Sequence, residues 1–83
     1  MAQEYLDSKI VGLAIARQRK RKKISQEVLS GLSDIGRTHL SAIERGERKP
    51  TLETFFRLCD AMDVKPSLLT KRIEEALHTQ KNI

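Results

Sequence analysis

Residues 25–46 read SQEVLSGLSDIGRTHLSAIERG, and the fold turns on the interruption at Asp34-Ile35-Gly36. Before it, Ser25 is placed to accept a hydrogen bond from a first-turn amide and so to cap a short helix running to about Ser33. After it, a second short helix begins at Gly36 or Arg37 and closes at Gly46, where a residue without a Cβ can take the left-handed conformation that ends a helix. Leu40 and Ile43 turn inward, with Ile35 joining them from the turn. Thr38, Ser41, Ala42 and Arg45 then face outward, and Arg37, Thr38 and His39 occupy the first turn, where side chains project beyond the helix end. An ordinary surface helix carries long Glu and Lys side chains on its outer face. Here small residues predominate, as they must if something large is to come close.

The rest of the chain reads as a frame for this pair. Its 83 residues make one domain, 1–83, with no repeat, linker or low-complexity stretch. A first helix starts near Asp7 or Ser8 and ends around Lys22, with Val11, Leu13 and Ile15 as its inner face. Thr51 caps a fourth helix in which Leu52, Phe55, Leu58, Cys59 and Met62 recur at helical spacing. Pro66 suits the first position of a fifth, spanning 66–78, and residues 79–83 are expected to fray. The fold class is therefore all-α, a compact five-helix domain with a helix-turn-helix at about 25–46.

Composition excludes several classes. Cys59 is the only cysteine, and His39 and His78 sit in no Cys/His cluster, so neither a disulfide nor a metal or other cofactor is expected. With those staples excluded, a chain this short is expected to lean on a second subunit. No nucleophile, carboxylate pair or metal cluster is placed for catalysis, which argues against an enzyme. The apolar run from Ile10 to Ala16 is too short to span a bilayer, and its cations follow it, unlike those of a signal peptide. A cytoplasmic protein without a membrane partner is the expectation. The formal charge of +5 points to a polyanionic partner. Six of the seven residues from Arg17 to Lys23, RQRKRKK, are basic, a density that repels itself unless an anion answers it.

A short helix with a small, polar outer face and reaching side chains at its start suits the DNA major groove. That groove is about 12 Å wide and admits one helix, whose N-terminal residues meet the base edges. Arginine can pair bidentately with guanine, and threonine can offer a methyl to thymine or a hydroxyl to a base or phosphate. The break at 34–36 lets the second helix brace the third while staying out of the groove.

These residues carry a resemblance. Ser25-Gln26-Glu27, Leu29, Ile35, Leu40-Ser41, Ile43-Glu44-Arg45-Gly46, Pro50-Thr51-Leu52, Ala61-Met62 and Val64 resemble the lambda-repressor/Cro-like family, the XRE-type helix-turn-helix domain. The likeness departs from the family pattern at Asp34, where relatives favour Gly, and at Lys23 and Asp63, where they favour Gly or Asn. It departs also at Ser30, where Ala is usual, and at Gly36, where Ser or Thr often caps the helix. The resemblance implies that Arg37 and Thr38 are the main base readers, with His39, Ser41 and Ala42 beside them. It implies backbone contacts from Gln26, Arg45, Arg48 and Lys49; the charge density of the basic run, separately, makes Arg17 an expected phosphate contact. It also implies an internal ion pair between Arg19 and Glu44.

Two-fold dimers discriminate better than single domains, because they read half-sites about one helical turn apart on double-stranded DNA. Leu68, Ile73 and Leu77 on the fifth helix are expected to form the homodimer interface. Within the family, the run RTHLSAIERGERKPT resembles the controller proteins of restriction–modification systems, short dimers that regulate their own promoter. An activating controller would also meet RNA polymerase. Phage Cro/CI-type repressors share most of these residues. An antitoxin that autoregulates through the same motif is a further alternative, disfavoured by the short flanks of the bundle.

Overall fold

The computed structural model describes residues 5–81 and contains five helices: α1 (Ser8–Arg21), α2 (Gln26–Ser33), α3 (Arg37–Glu44), α4 (Leu52–Ala61) and α5 (Pro66–Lys81). Side-chain caps fix three of the starts. Asp7 accepts from the Lys9 amide at 2.8 Å, Ser25 from Val28 at 3.0 Å and Thr51 from Thr54 at 3.1 Å. Gly36 starts α3 with no side-chain cap, which leaves the first turn of that helix open.

The first four helices end by one device. Lys23, Asp34, Gly46 and Asp63 each take a left-handed φ, between 53° and 78°. The next amide then reaches back five residues: Ile24 to Arg19, Ile35 to Ser30, Glu47 to Ala42 and Val64 to Cys59, at 2.9–3.4 Å. This closes each helix end on its own carbonyls and turns the following apolar residue, where there is one, onto the core. Only Gly46 adopts that backbone freely. Asp tolerates it fairly well, and Lys23 bears a strain of about 1–2 kcal/mol. Ser30, in place of the usual alanine, donates its hydroxyl to the Ile35 carbonyl, so the α2–α3 turn is clasped in both directions.

α1 packs on α3 and α5, α2 on α3 and α4, and α4 on α5, enclosing Ile15, Leu29, Leu40, Ile43, Leu58, Met62 and Leu69 at zero exposure. Leu13, expected inside, is 47% exposed. It stands about 200° round the helix from both Val11 and Ile15, and those two take the inner face. Gln18 holds the inward position one turn beyond Ile15 instead, and it is buried.

α5 corrects two further expectations. It continues through Thr79 to Lys81, because TQK contains no helix breaker; Asn82 and Ile83 of the expected frayed tail lie outside the described residues. Ile73, expected on an outward dimer stripe, belongs to the monomer core at 6% exposure. Leu69, Ile73 and Leu77 are spaced by four, so they share the face that packs inward. Of the expected stripe only Leu68 remains exposed.

Candidate nucleic-acid interface

One carboxylate joins three helices. Glu44, at the end of α3, receives Arg19 of α1 through two parallel bonds, Nε to Oε2 at 2.8 Å and Nη2 to Oε1 at 2.9 Å. The remaining guanidinium arm donates to the Ile24 carbonyl in the α1–α2 connection. Gln26, the first residue of α2, donates its amide to the same Oε1 at 2.9 Å. Both members of the ion pair are nearly out of solvent, with side-chain exposures of 12% and 6%. The hydrogen bonds it donates to Glu44 hold the Arg19 guanidinium above its ordinary pKa, against the opposing effect of burial. A bidentate, charge-assisted contact thus fixes α3 against α1, and the single Gln26 bond ties α2 to the same carboxylate, in addition to side-chain packing.

Close approach of α1 makes that contact reachable. Gly12 lies against the last turn of α3, where an added Cβ would stand 2.7 Å from the Glu44 carbonyl oxygen and nearer still to that of Ile43. A larger residue there would lift Arg19 away from its carboxylate.

The outward side of α3 is an open stripe. Arg37 and Thr38 are exposed, His39, Ser41 and Ala42 partly so, while Leu40 and Ile43 are fully buried behind them. Gln26, Arg37, Thr38, Ser41 and Arg45 line one shallow cleft of about 450 Å³. Arg45 is not idle in it: Nε and Nη2 meet both oxygens of Glu47 at 2.9 Å, and Nη1 donates to the Ser41 hydroxyl. That pairing holds the Glu47 carboxyl below its ordinary range. Sequence reasoning missed Glu47, two residues beyond Arg45 where the chain has already left the helix. Arg48 and Lys49 follow on the exposed loop.

Arg17, expected as a phosphate contact, stands apart from that cleft. It lines a groove between α1 and α5, about 200° round the helix from Arg19 and so away from the α2–α3 cleft. Cys59 is fully buried, and burial pushes its thiol up to about 11, which keeps it protonated and inert. Among the described residues no group of His, Cys, Asp or Glu could hold a metal, and no helix is long and apolar enough to cross a membrane.

The chain is similar to several known proteins. The helix-turn-helix family matches residues 15–69. The HTH-type transcriptional regulator y4dJ of Sinorhizobium fredii is 39% identical over 56 residues, covering 68% of this chain and 73% of that one. Control protein C.SmaI of Serratia marcescens is 34% identical over 70 residues, covering 82% of this chain and 83% of its own. Among solved structures, the restriction–modification controller protein C.AhdI of Aeromonas hydrophila superposes with a TM-score of 0.73 at 33% identity, over 76% of this chain and 96% of that one.

Proposed function

We propose, on the premise that this chain belongs to the XRE-type helix-turn-helix family of DNA-binding transcriptional regulators, that it acts as a homodimer on a two-fold operator, as a restriction–modification controller acting on its own promoter. The observation that carries this reading is the exposed stripe of α3, fixed in direction by Glu44 from behind. Arg37 and Thr38 read base edges, with His39, Ser41 and Ala42 giving close approach. Arg48 and Lys49 run along the sugar–phosphate backbone. Gln26 adds a phosphate contact at the N-terminus of α2, where the helix dipole favours an anion. Arg45 reaches phosphate by exchanging its Glu47 partner. Such a regulator works where the DNA is, in the cytoplasm, and one that activates would touch RNA polymerase as well.

Arg37→Ala tests the reading. On an operator fragment the substitution should cost about 1–3 kcal/mol, with little loss on unrelated duplex, so that discrimination relaxes. Equal weakening on every sequence, measured by titration at fixed salt, would reduce Arg37 to a phosphate contact.

With Ile73 withdrawn into the core, we place the two-fold contact on the exposed apolar side chains of the α4–α5 half. Leu52 is 74% exposed and Phe56 51%, one turn apart on α4, and Leu68 on the first turn of α5 is 43% exposed. Leu77, half-buried, packs against the core and takes a marginal part at most. Phe56→Glu places a charge in an isologous contact twice over, so sedimentation should report a monomer that still melts cooperatively. A dimer of unchanged mass would move the interface elsewhere.

A further inference from the structure

The basic run RQRKRKK is only partly explained by the site above, which uses Arg19 alone. Arg17 and Arg21, one turn apart on α1, line a groove of about 280 Å³ whose other wall is α5, and Arg72 lines it with them. Like charges spaced by four on a helix repel, and a third guanidinium in the same groove adds to the repulsion. Among the described residues neither Arg17 nor Arg21 has an ion-pair partner, and Glu75 is the one carboxylate lining the groove.

Arg72 is held in place from within. Its Nη1 donates to Oε1 of Gln18 at 2.7 Å, and the amide of Gln18 donates in turn to the Met62 carbonyl at 3.4 Å. Gln18 is 5% exposed, so a buried side chain sets where this guanidinium stands. The groove also has an apolar surface: Ile10 and Ala14 are partly buried, while Leu13 and Ala76 are open to solvent. Cations alone would suit any polyanion. Cations beside an exposed leucine suit a ligand that brings carboxylates and an apolar side chain together.

We propose that the α1–α5 groove docks an acidic, amphipathic segment of a partner protein, with its carboxylates on Arg17, Arg21 and Arg72 and an apolar side chain against Leu13. Three guanidiniums against one carboxylate provide the charge complementarity. A nucleic acid backbone would gain nothing from Leu13. Because Arg17 points away from the Arg19 side of α1, the partner and DNA can be held together.

The test uses the full chain and, as probe, a synthetic peptide of about four helical turns with Glu along one stripe and Leu beside it. Backbone amide shifts should saturate and be confined to α1 and α5, with or without operator duplex bound. Arg17→Glu alters an exposed side chain and should keep the wild-type melting temperature, while Leu13→Ser, at a half-exposed position in mid-helix, should lower it by only a few degrees and leave the protein folded. Arg17→Glu should weaken peptide binding about tenfold, and Leu13→Ser should weaken it measurably, with operator affinity held within about twofold. A peptide that fails to saturate, or a scrambled peptide of equal charge that binds as well, overturns the proposal. So does a tenfold loss on duplex DNA with Arg17→Glu, which would return that residue to the nucleic-acid face. Failure of wild-type protein to discriminate between DNA sequences would count against the regulator reading alone.

Discussion

Glu44→Ala is expected to lower the free energy of unfolding by about 3–5 kcal/mol, the range typical of removing one partner of a buried ion pair. The substitution leaves the Arg19 guanidinium nearly out of solvent with only the Ile24 carbonyl to answer it, and it frees the Gln26 amide. Small domains hold only about 5–15 kcal/mol in all, so a loss of this size brings the protein close to its unfolding threshold. Far-UV circular dichroism in a urea titration gives the measurement, since the chain has no tryptophan to report by fluorescence. A double substitution, Arg19→Met with Glu44→Leu, should recover most of the stability, because it removes the stranded charge along with its partner. DNA affinity should not return with it, because the orientation set by the bidentate bond is gone. A loss below about 1 kcal/mol in Glu44→Ala would mean that this pair behaves like an exposed one and does not lock the reading helix.

Gly12→Ala should be nearly as damaging, and for an opposite reason. Alanine is the better helix former by about 1 kcal/mol, so an exposed glycine at mid-helix would gain from the exchange. Here the new methyl meets the carbonyl oxygens of Ile43 and Glu44, which are backbone and cannot rotate aside. α1 must shift outward, which unseats Arg19 and opens the contact with α3. We expect a net loss of about 3 kcal/mol, at the upper end for overpacking. Gly31→Ala is the internal control: nothing lies within 4 Å of its Cβ position, so the same exchange should be neutral or stabilising. If the two variants unfold at the same urea concentration, α1 does not approach α3 as closely as described.

How much of this was legible in the sequence depended on whether a signal was local. Caps, left-handed helix ends and the turn at 34–36 depend on single residue types, and Asp7, Ser25, Thr51, Pro66 and Gly46 announced the helix boundaries. Leu40 and Ile43 likewise declared which side of α3 faces inward. The resemblance to a known family supplied the Arg19–Glu44 contact, which no spacing rule could have joined across 25 residues.

What escaped was the division of apolar residues between core and surface. α5 has more aliphatic positions than one face can hold, and only the packed bundle shows that Leu69, Ile73 and Leu77 turn inward while Leu68 does not. Leu13 failed for the same reason, since a helix of mixed composition does not say which of two apolar faces meets its neighbours. Gln18 was overlooked because a polar side chain in an inward register reads as surface until its partners, Met62 and Arg72, arrive from other helices. A warning was present: residues 11, 15 and 18 continue one stripe at helical spacing.

The central claim is that α3 presents its outer stripe to nucleotide edges because α1 and α2 hold it there. Selection of bound fragments from a pool of random duplex DNA, at fixed physiological salt, tests it most directly. The account predicts strong enrichment of one short motif, repeated as an inverted pair with centres about one helical turn apart, and loss of that enrichment in Arg37→Ala. A bound pool with the same sequence composition as the input would contradict it.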